Sequence, residues 1–461
     1  MLKILVMSAL GALATLSHAQ TDLRVLIDVS GSMKSNDPNA LRQPAAELIA
    51  RLLPPQSQAG VWLFGTQTRA LVDYGVVDPQ WRTATLSSSD TISSSDQYTD
   101  IEQSLTEGLQ PATHANKQCH VILVTDGLID LRAGQAAIRE SRARIETQVI
   151  AQAKQQDCRI HTLSLSDQTD KALLNRLSQA TGGLSAQLTG AAQLLPVVLD
   201  ALELALPDNR LPIQGQSFQV DESVNKQTII SLTPTDQALQ LVSPRGQIIT
   251  PDNLPENVEY QTSQGFQLYQ ITNPEPGIWQ SLGDAKIDRV LADADINLSI
   301  IDLPSTLELG QPLNVVVRIT QGDQAVQLND LDLRGTINDL PLAFEARGDD
   351  LLAPVTLNQP GSYTLEIQAR SGLFERTLNR TIEVIEPQVA SALESGTTQG
   401  VQTFKAPAAV PAIEVEATPV VEPVSTNEGL TLLQWLWIIG AAGVGLIALI
   451  AFWLSRAEKK A

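Results

Sequence analysis

Three separate segments of this chain carry short oxygen-bearing side chains directly beside apolar runs. Asp28-Val29-Ser30-Gly31-Ser32 follows Leu23-Arg24-Val25-Leu26-Ile27 without a break. Thr99-Asp100 opens a segment of helical spacing after a stretch rich in Ser, Thr and Asp. Asp126-Gly127 closes the run Val121-Ile122-Leu123-Val124-Thr125. Carboxylates and hydroxyls are hard donors. Mg²⁺ takes oxygen ligands near about 2.1 Å in octahedral geometry and usually keeps several waters. Two serine hydroxyls, more distant carboxylates and waters meet that demand. They leave the cation under-neutralised, so it attracts an acidic group from elsewhere. Mn²⁺ and Ca²⁺ fit the same donors, and the spacing does not choose among the three. A competing reading needs no metal: Asp28 and Ser32 would cap the helix that follows the first strand. Capping does not account for Thr99 and Asp126.

These residues need a scaffold that brings distant loops together. Residues 20–207 alternate apolar strand-like runs with helical periodicity: Leu41 to Leu53, Asp100 to Gln110, Ile138 to Gln156, and segments near 170–180 and 189–206. Runs at 23–27, 60–65, 121–124 and 159–165 supply the strands, and residues 83–98 read as a loop. Such alternation implies an open parallel sheet covered on both faces, with ligands bound beyond the strand C-termini.

The resemblance is then specific. Asp28, Ser30, Ser32, Thr99 and Asp126 match, in order and context, the metal-ion-dependent adhesion site (MIDAS) of von Willebrand factor A (VWA) domains. Ala180-Thr181-Gly182-Gly183 is similar to the family's late turn. The resemblance covers about residues 22–205. It implies that Ser30, Ser32 and Thr99 coordinate the ion directly, that Asp28 and Asp126 act through water, and that a partner's carboxylate completes the shell.

From about residue 210 the pattern changes to period-2 segments separated by Pro, Gly, Asn and Asp. Blocks 210–296 and 297–386, the second Ig-like, each have the size of one small β-sandwich. Ser217-Phe218-Gln219-Val220-Asp221, Leu241-Val242-Ser243-Pro244-Arg245-Gly246 and Asn273-Pro274-Glu275-Pro276-Gly277-Ile278-Trp279 resemble β-rich domains that follow A domains in calcium-activated chloride channel regulators. Trp279 reads as a core anchor rather than a binding residue.

Composition places these domains. Of 461 residues, 43 % are hydrophobic, and the net charge of -20 argues against nucleic-acid binding. Lys3, an apolar run to Leu16 and Ser17-His18-Ala19 read as a signal peptide over 1–19. Residues 387–429, rich in Pro, Ala and Glu, read as a disordered stalk, on the order of 100 Å long if extended. Residues 430–455 read as a transmembrane helix with Trp435, Trp437 and Trp453 near its ends, followed by a cytoplasmic tail, 456–461, with Arg456, Lys459 and Lys460. The expected fold class is thus an α/β doubly wound parallel sheet of VWA (Rossmann-like) type, then two all-β sandwich domains, a disordered stalk and one transmembrane helix. The layout resembles uncharacterised proteobacterial exported proteins, which implies a bacterial inner-membrane protein with its bulk in the periplasm.

Cys119 and Cys158 are the two cysteines. Each precedes an apolar strand. If those strands are parallel neighbours, the sulfurs meet at the sheet end opposite the cation loops, and a disulfide there adds about 3–4 kcal/mol. Free thiols are the alternative. His114, His120 and His161 read as surface or strand-end residues. No H-E-x-x-H, G-x-S-x-G or Walker loop is present. The expected function is therefore non-enzymatic: a membrane-anchored scaffold gripping an acidic residue of a protein partner through the cation. A metal-assisted hydrolase and an envelope spacer with a vestigial site are the alternatives.

Overall fold

A computed structural model describes residues 20–111, 117–206, 209–233, 237–322 and 324–386. The expected signal peptide (1–19), stalk (387–429), transmembrane segment (430–455) and cytoplasmic tail (456–461), and His114, lie outside them. Among the described residues no helix is long and apolar enough to cross a membrane.

The first half is a parallel-rich α/β layer. Its six strands are β1 (Gln20–Asp28), β2 (Gln58–Phe64), β3 (Thr68–Val76), β4 (Lys117–Thr125), β5 (Cys158–Ser164) and β6 (Ser185–Gln187), in spatial order β3-β2-β1-β4-β5-β6. The central strands are buried on both faces, which is why they read as unbroken apolar runs. The sheet is not wholly parallel: β3 returns antiparallel to β2 at the edge. Its half-exposed, polar-interrupted sequence gave no buried-strand signal. The helices are α1 (Met33–Asn36), α2 (Arg42–Leu52), α3 (Pro79–Ser88), α4 (Ile101–Gly108), α5 (Gln135–Arg144), α6 (Ile150–Gln155), α7 (Lys171–Thr181) and α8 (Leu194–Ala205).

Two expectations are corrected here. The segment 83–98 is not all loop, because α3 runs to Ser88 and a 3₁₀ turn follows over Ser89–Thr91. Asp78 caps α3 by accepting from Trp81 N–H at 2.7 Å, with Pro79 at its first position. The helix expected over 138–156 is interrupted by a π turn at Ile145–Val149. The helical expectations at 41–53 and near 170–180 hold, as α2 and α7 (Lys171–Thr181). Gly182 ends α7 in the left-handed region at φ 70°. A Cβ on Gly183 would lie 2.0 Å from the Ile160 carbonyl oxygen, so the turn approaches β5 too closely for any side chain.

The second half is antiparallel β. One ten-stranded sheet runs through it, and two five-stranded sheets cover its two ends. The short strand β7 (Asn209–Arg210) joins the ends, pairing with Arg289–Ala294 on one side and Glu375–Ile385 on the other. Each end has its own apolar core, around Phe218, Tyr269 and Trp279 and around Val315, Ile367 and Ile382. Trp279 is buried, and its indole N–H donates to the Glu275 carbonyl at 2.9 Å.

The α/β layer is not a separate bead. Its core, including Leu195, Leu199 and Leu202 of α8, is continuous with Ile230, Phe266, Leu268 and Leu291 of the β region. A Cβ on Gly265 would meet Leu195 at 2.9 Å. Polar contacts reinforce this seam. Glu203 of α8, 4 % exposed, pairs with Arg210 at 2.5 Å and Arg289 at 3.2 Å, and Arg380 donates to its carbonyl at 3.1 Å.

At the N-terminal end of the sheet, Cys119 and Cys158 stand opposite each other in the β4–β5 register and are joined by a disulfide. Beside them the buried Arg24 explains the charge inside the first apolar run. It is paired with Asp22 at 2.9 Å and donates to the Gly108 carbonyl at 3.1 Å.

His120 and His161 correct the surface expectation. Both are fully buried, with stacked rings 5.2 Å apart. Leu184 N–H donates to His161 Nδ1 at 3.0 Å, so the neutral ring carries its proton on Nε2 and donates to His120 Nδ1 at 2.9 Å. Each imidazole supplies the other's partner, which lets two polar rings enter a core. His120 Nε2 is left without a partner among the described residues.

Candidate cation-binding rim

The rim is built at the C-terminal ends of β1 and β4. Asp28 is the last residue of β1 and is fully buried. Its Oδ1 accepts from Ser30 N–H at 2.8 Å and its Oδ2 from Thr125 Oγ1 at 2.6 Å. That second bond ties the β1 loop to the β4 loop immediately before Asp126. Ser30 is buried, Ser32 is exposed, and their hydroxyl oxygens lie 3.1 Å apart. Ser32 stands at the N-cap position of α1, yet its side chain makes no capping bond. The capping alternative therefore does not describe this turn: Asp28 holds the loop and the two serine hydroxyls face each other.

Asp126, 7 % exposed, is reached from the same loop, because its Oδ2 accepts from Asn36 Nδ2 at 3.0 Å. Gly127 follows at φ 92°, and a Cβ there would lie 2.6 Å from Thr169. Asp28, Ser30, Ser32 and Asp126 are thus linked through direct side-chain bonds and two intermediaries, Thr125 and Asn36. Thr99 joins them through its main chain. Its N–H donates to the Asp130 carbonyl at 2.8 Å, and Asp130 N–H donates back at 3.0 Å. The Thr99 loop and the Asp126 loop are therefore locked side by side.

Sequence reasoning missed several supporting residues. Asp96 N–H donates to the Val29 carbonyl at 3.0 Å, which lays the Ser-rich loop along the β1 loop. Arg42, 2 % exposed, pairs with Asp37 at 2.7 Å, donates to Ser94 Oγ at 2.8 Å and also donates to the Asp28 carbonyl. It braces the back of the rim. Thr125, adjacent to Asp126, and Asn36, one helical turn after Ser32, carried a signal in their spacing. Asp96 and Arg42 carried none, since their roles depend on loop packing.

Burial, and then the negative charge of Asp126, push the Asp28 carboxyl up to about 6. Two crowded carboxylates beside two serine hydroxyls form a donor set that a hard dication relieves. Among the described residues no group of three or more His, Cys, Asp or Glu is placed to hold a metal. A cation at this rim would therefore depend on hydroxyls and water as well as carboxylates. On that chemistry the residues fit Mg²⁺, Mn²⁺ or Ca²⁺.

Comparison with known proteins follows the same division of the chain. Residues 21–186 match the family model of the von Willebrand factor type A domain, and residues 204–281 match the hemicentin galactose-binding domain-like model. A von Willebrand factor type A structure from Catenulispora acidiphila is 12 % identical over 80 % of this chain and 67 % of that one, with a TM-score of 0.35. The ArnB paralog VWA2 from Sulfolobus acidocaldarius is 11 % identical over 79 % and 66 %, with a TM-score of 0.30. Proximal thread matrix protein 1 from the mussel byssus, solved with a zinc-occupied MIDAS motif, is 17 % identical over 40 % and 48 %, with a TM-score of 0.31. The chain spans about half of that mussel protein. No curated protein sequence matches it.

Proposed function

We propose, from a chain whose residues 21–186 match the von Willebrand factor type A domain model, that the protein is a divalent-cation-dependent binding scaffold and not an enzyme. The observation that carries this reading is the rim itself: the Ser30 and Ser32 hydroxyls meet at 3.1 Å, beside carboxylates that the loops hold in place. Ser30, Ser32 and Thr99 would hold the cation, with Asp28 and Asp126 supporting it through water. A bound dication would supply residual positive charge toward a carboxylate on a protein partner. The chain's own part is to fix the donors. Asp28 sets the loop through Ser30 N–H and Thr125, Asn36 orients Asp126, and the Thr99–Asp130 pairing fixes the spacing between loops.

The last described strand ends one helix length from the rim. That strand ends at Ile385, paired with Glu308, whose carboxylate accepts from Gln179 in the last turn of α7. The first turn of α7 lies at the rim, where Asp170 N–H donates to the Gly127 carbonyl. An 11-residue helix is about 16 Å long. In this reading residues 1–19 direct export, residues 430–455 anchor the protein in a bacterial inner membrane, and the stalk carries the rim into the periplasm. The shared core between the α/β layer and the β region makes the whole a stiff presenting unit.

Calorimetry of the full chain with Mg²⁺ and Mn²⁺, followed by affinity capture with and without EDTA, tests the reading. Saturable cation binding and a capture profile that loses a protein in EDTA are expected. An unchanged profile in EDTA would end it.

A further inference from the structure

The geometry points to Arg142 and Arg144 as positioning residues for the cation rim: two arginines at the end of one helix brace the two loops that carry Asp126 and Thr99. This rests on the cation-binding reading above. Neither residue lies on a rim loop, and nothing in their sequence spacing singles them out.

Helix α5 ends at Arg144, where the backbone widens into the π turn Ile145–Val149 before α6 resumes. A π turn is rare and is found frequently at functional positions. Just before it, two arginines stand two residues apart, so their side chains leave the helix about 160° apart. One helix end can then address two different neighbours.

Arg144 takes the first. Its Nε and Nη2 donate to both carboxylate oxygens of Glu102, at 2.6 and 2.8 Å. Glu102 lies in the first turn of α4, whose N-cap Asp100 accepts from Gln103 N–H at 2.9 Å and directly follows Thr99. Arg142 takes the second. It donates to Asp170 Oδ2 and, through Nε, to Glu146 at 3.2 Å. Asp170 caps α7 by accepting from Leu173 N–H at 3.1 Å, and its own N–H donates to the Gly127 carbonyl at 3.0 Å. Each arginine thus reaches one rim loop through a single acidic intermediary at a helix start.

The pairs are part exposed: the arginine side chains are 36 and 42 % accessible, their acidic partners 19 and 20 %. Pairs of that exposure add little to global stability. Their bidentate and capping geometry nonetheless fixes direction, and small displacements of outer residues weaken a metal site. The effect should therefore be read in cation affinity and not in the melting temperature.

The test uses the full chain with Mn²⁺ as probe, read by the loss of the free-ion electron paramagnetic resonance signal and by calorimetry. Arg144→Ala and Arg142→Ala should each bind Mn²⁺ about threefold or more weaker, with a broadened spectrum of the bound ion. The metal-free melting temperature should stay within about 2 °C of the parent. Arg144→Lys, which keeps the charge but not the fork, should recover part of the loss. Parent-like affinity in both alanine variants would overturn the inference and leave the cation site standing. So would a loss of affinity that appears only with a collapse in melting temperature. If the parent chain does not bind Mn²⁺, or Asp28→Ala binds it equally well, the cation reading itself falls.

Discussion

The side-chain amide of Asn36 donates to Asp126 at 3.0 Å, across 90 residues of sequence. It joins the helix after β1 to the loop after β4, and so makes one rim from two strands. Asn36→Ala leaves Asp126 free to rotate. Loss of such an outer partner costs about tenfold in metal affinity. Isothermal titration with Mn²⁺ should show that loss for Asn36→Ala and no measurable binding for Ser30→Ala/Ser32→Ala. Equal affinities across parent and variants would count against the rim as the binding site.

The disulfide closes a separation of 39 residues. Chain-entropy arguments give it about 4 kcal/mol. Cys119→Ser/Cys158→Ser should shift the urea midpoint downward and steepen the slope, because the released denatured chain exposes more surface. Because both cysteines are 2 % exposed or less, dithiothreitol should leave the native protein oxidised until it begins to unfold. Thiol labelling under native and denaturing conditions distinguishes the two states.

The histidine pair sets an acid limit. Burial, and then the charge of Arg159, hold His161 at about 3; burial, His161 and Arg159 hold His120 well below the ordinary imidazole value. A native pKa below the unfolded one means the unfolded chain binds more protons. The stability is present above about pH 6.5 and falls as pH drops from there toward 3. The slope is about 1.4 kcal/mol per pH unit for each imidazole. Protonation would also set a new N–H on His161 Nδ1 against the Leu184 N–H. Urea melts at pH 7 and pH 5 should show a marked drop for the parent chain. His120→Leu/His161→Gln should flatten that difference. A parent chain equally stable at both values would contradict the buried neutral pair.

Glu203 balances arginines from both ends of the β region. Glu203→Ala would leave Arg210, Arg289 and Arg380 crowded around Asp200. Breaking a buried ion pair on one side costs about 3 kcal/mol or more. Thermal melting should report a looser seam. For the same reason a fragment of residues 20–206 should aggregate, since it bares the α8 leucines that Ile230, Phe266 and Leu268 cover.

The sequence alone marked the buried central strands, most of the covering helices and the residues expected at the rim. Apolar runs mark strands buried on both faces, helical spacing marks the covering layer, and short oxygen donors directly after those runs mark the loops where a ligand is expected. Each is a local pattern, legible because period and burial are coupled along a few consecutive residues. The tertiary structure alone decided what depends on contacts between distant residues. The antiparallel edge strand β3 is half exposed and so lacks a buried pattern. His120 and His161 are buried because each satisfies the other across two strands, which no single segment encodes. Asp96, Arg42 and the arginines of α5 gain their roles only when loops close in space. The fusion of the α/β layer with the β region rests on shape complementarity between α8 and a sheet face. Hydrophobic patterning says that such a face must be covered, while only the fold says by what.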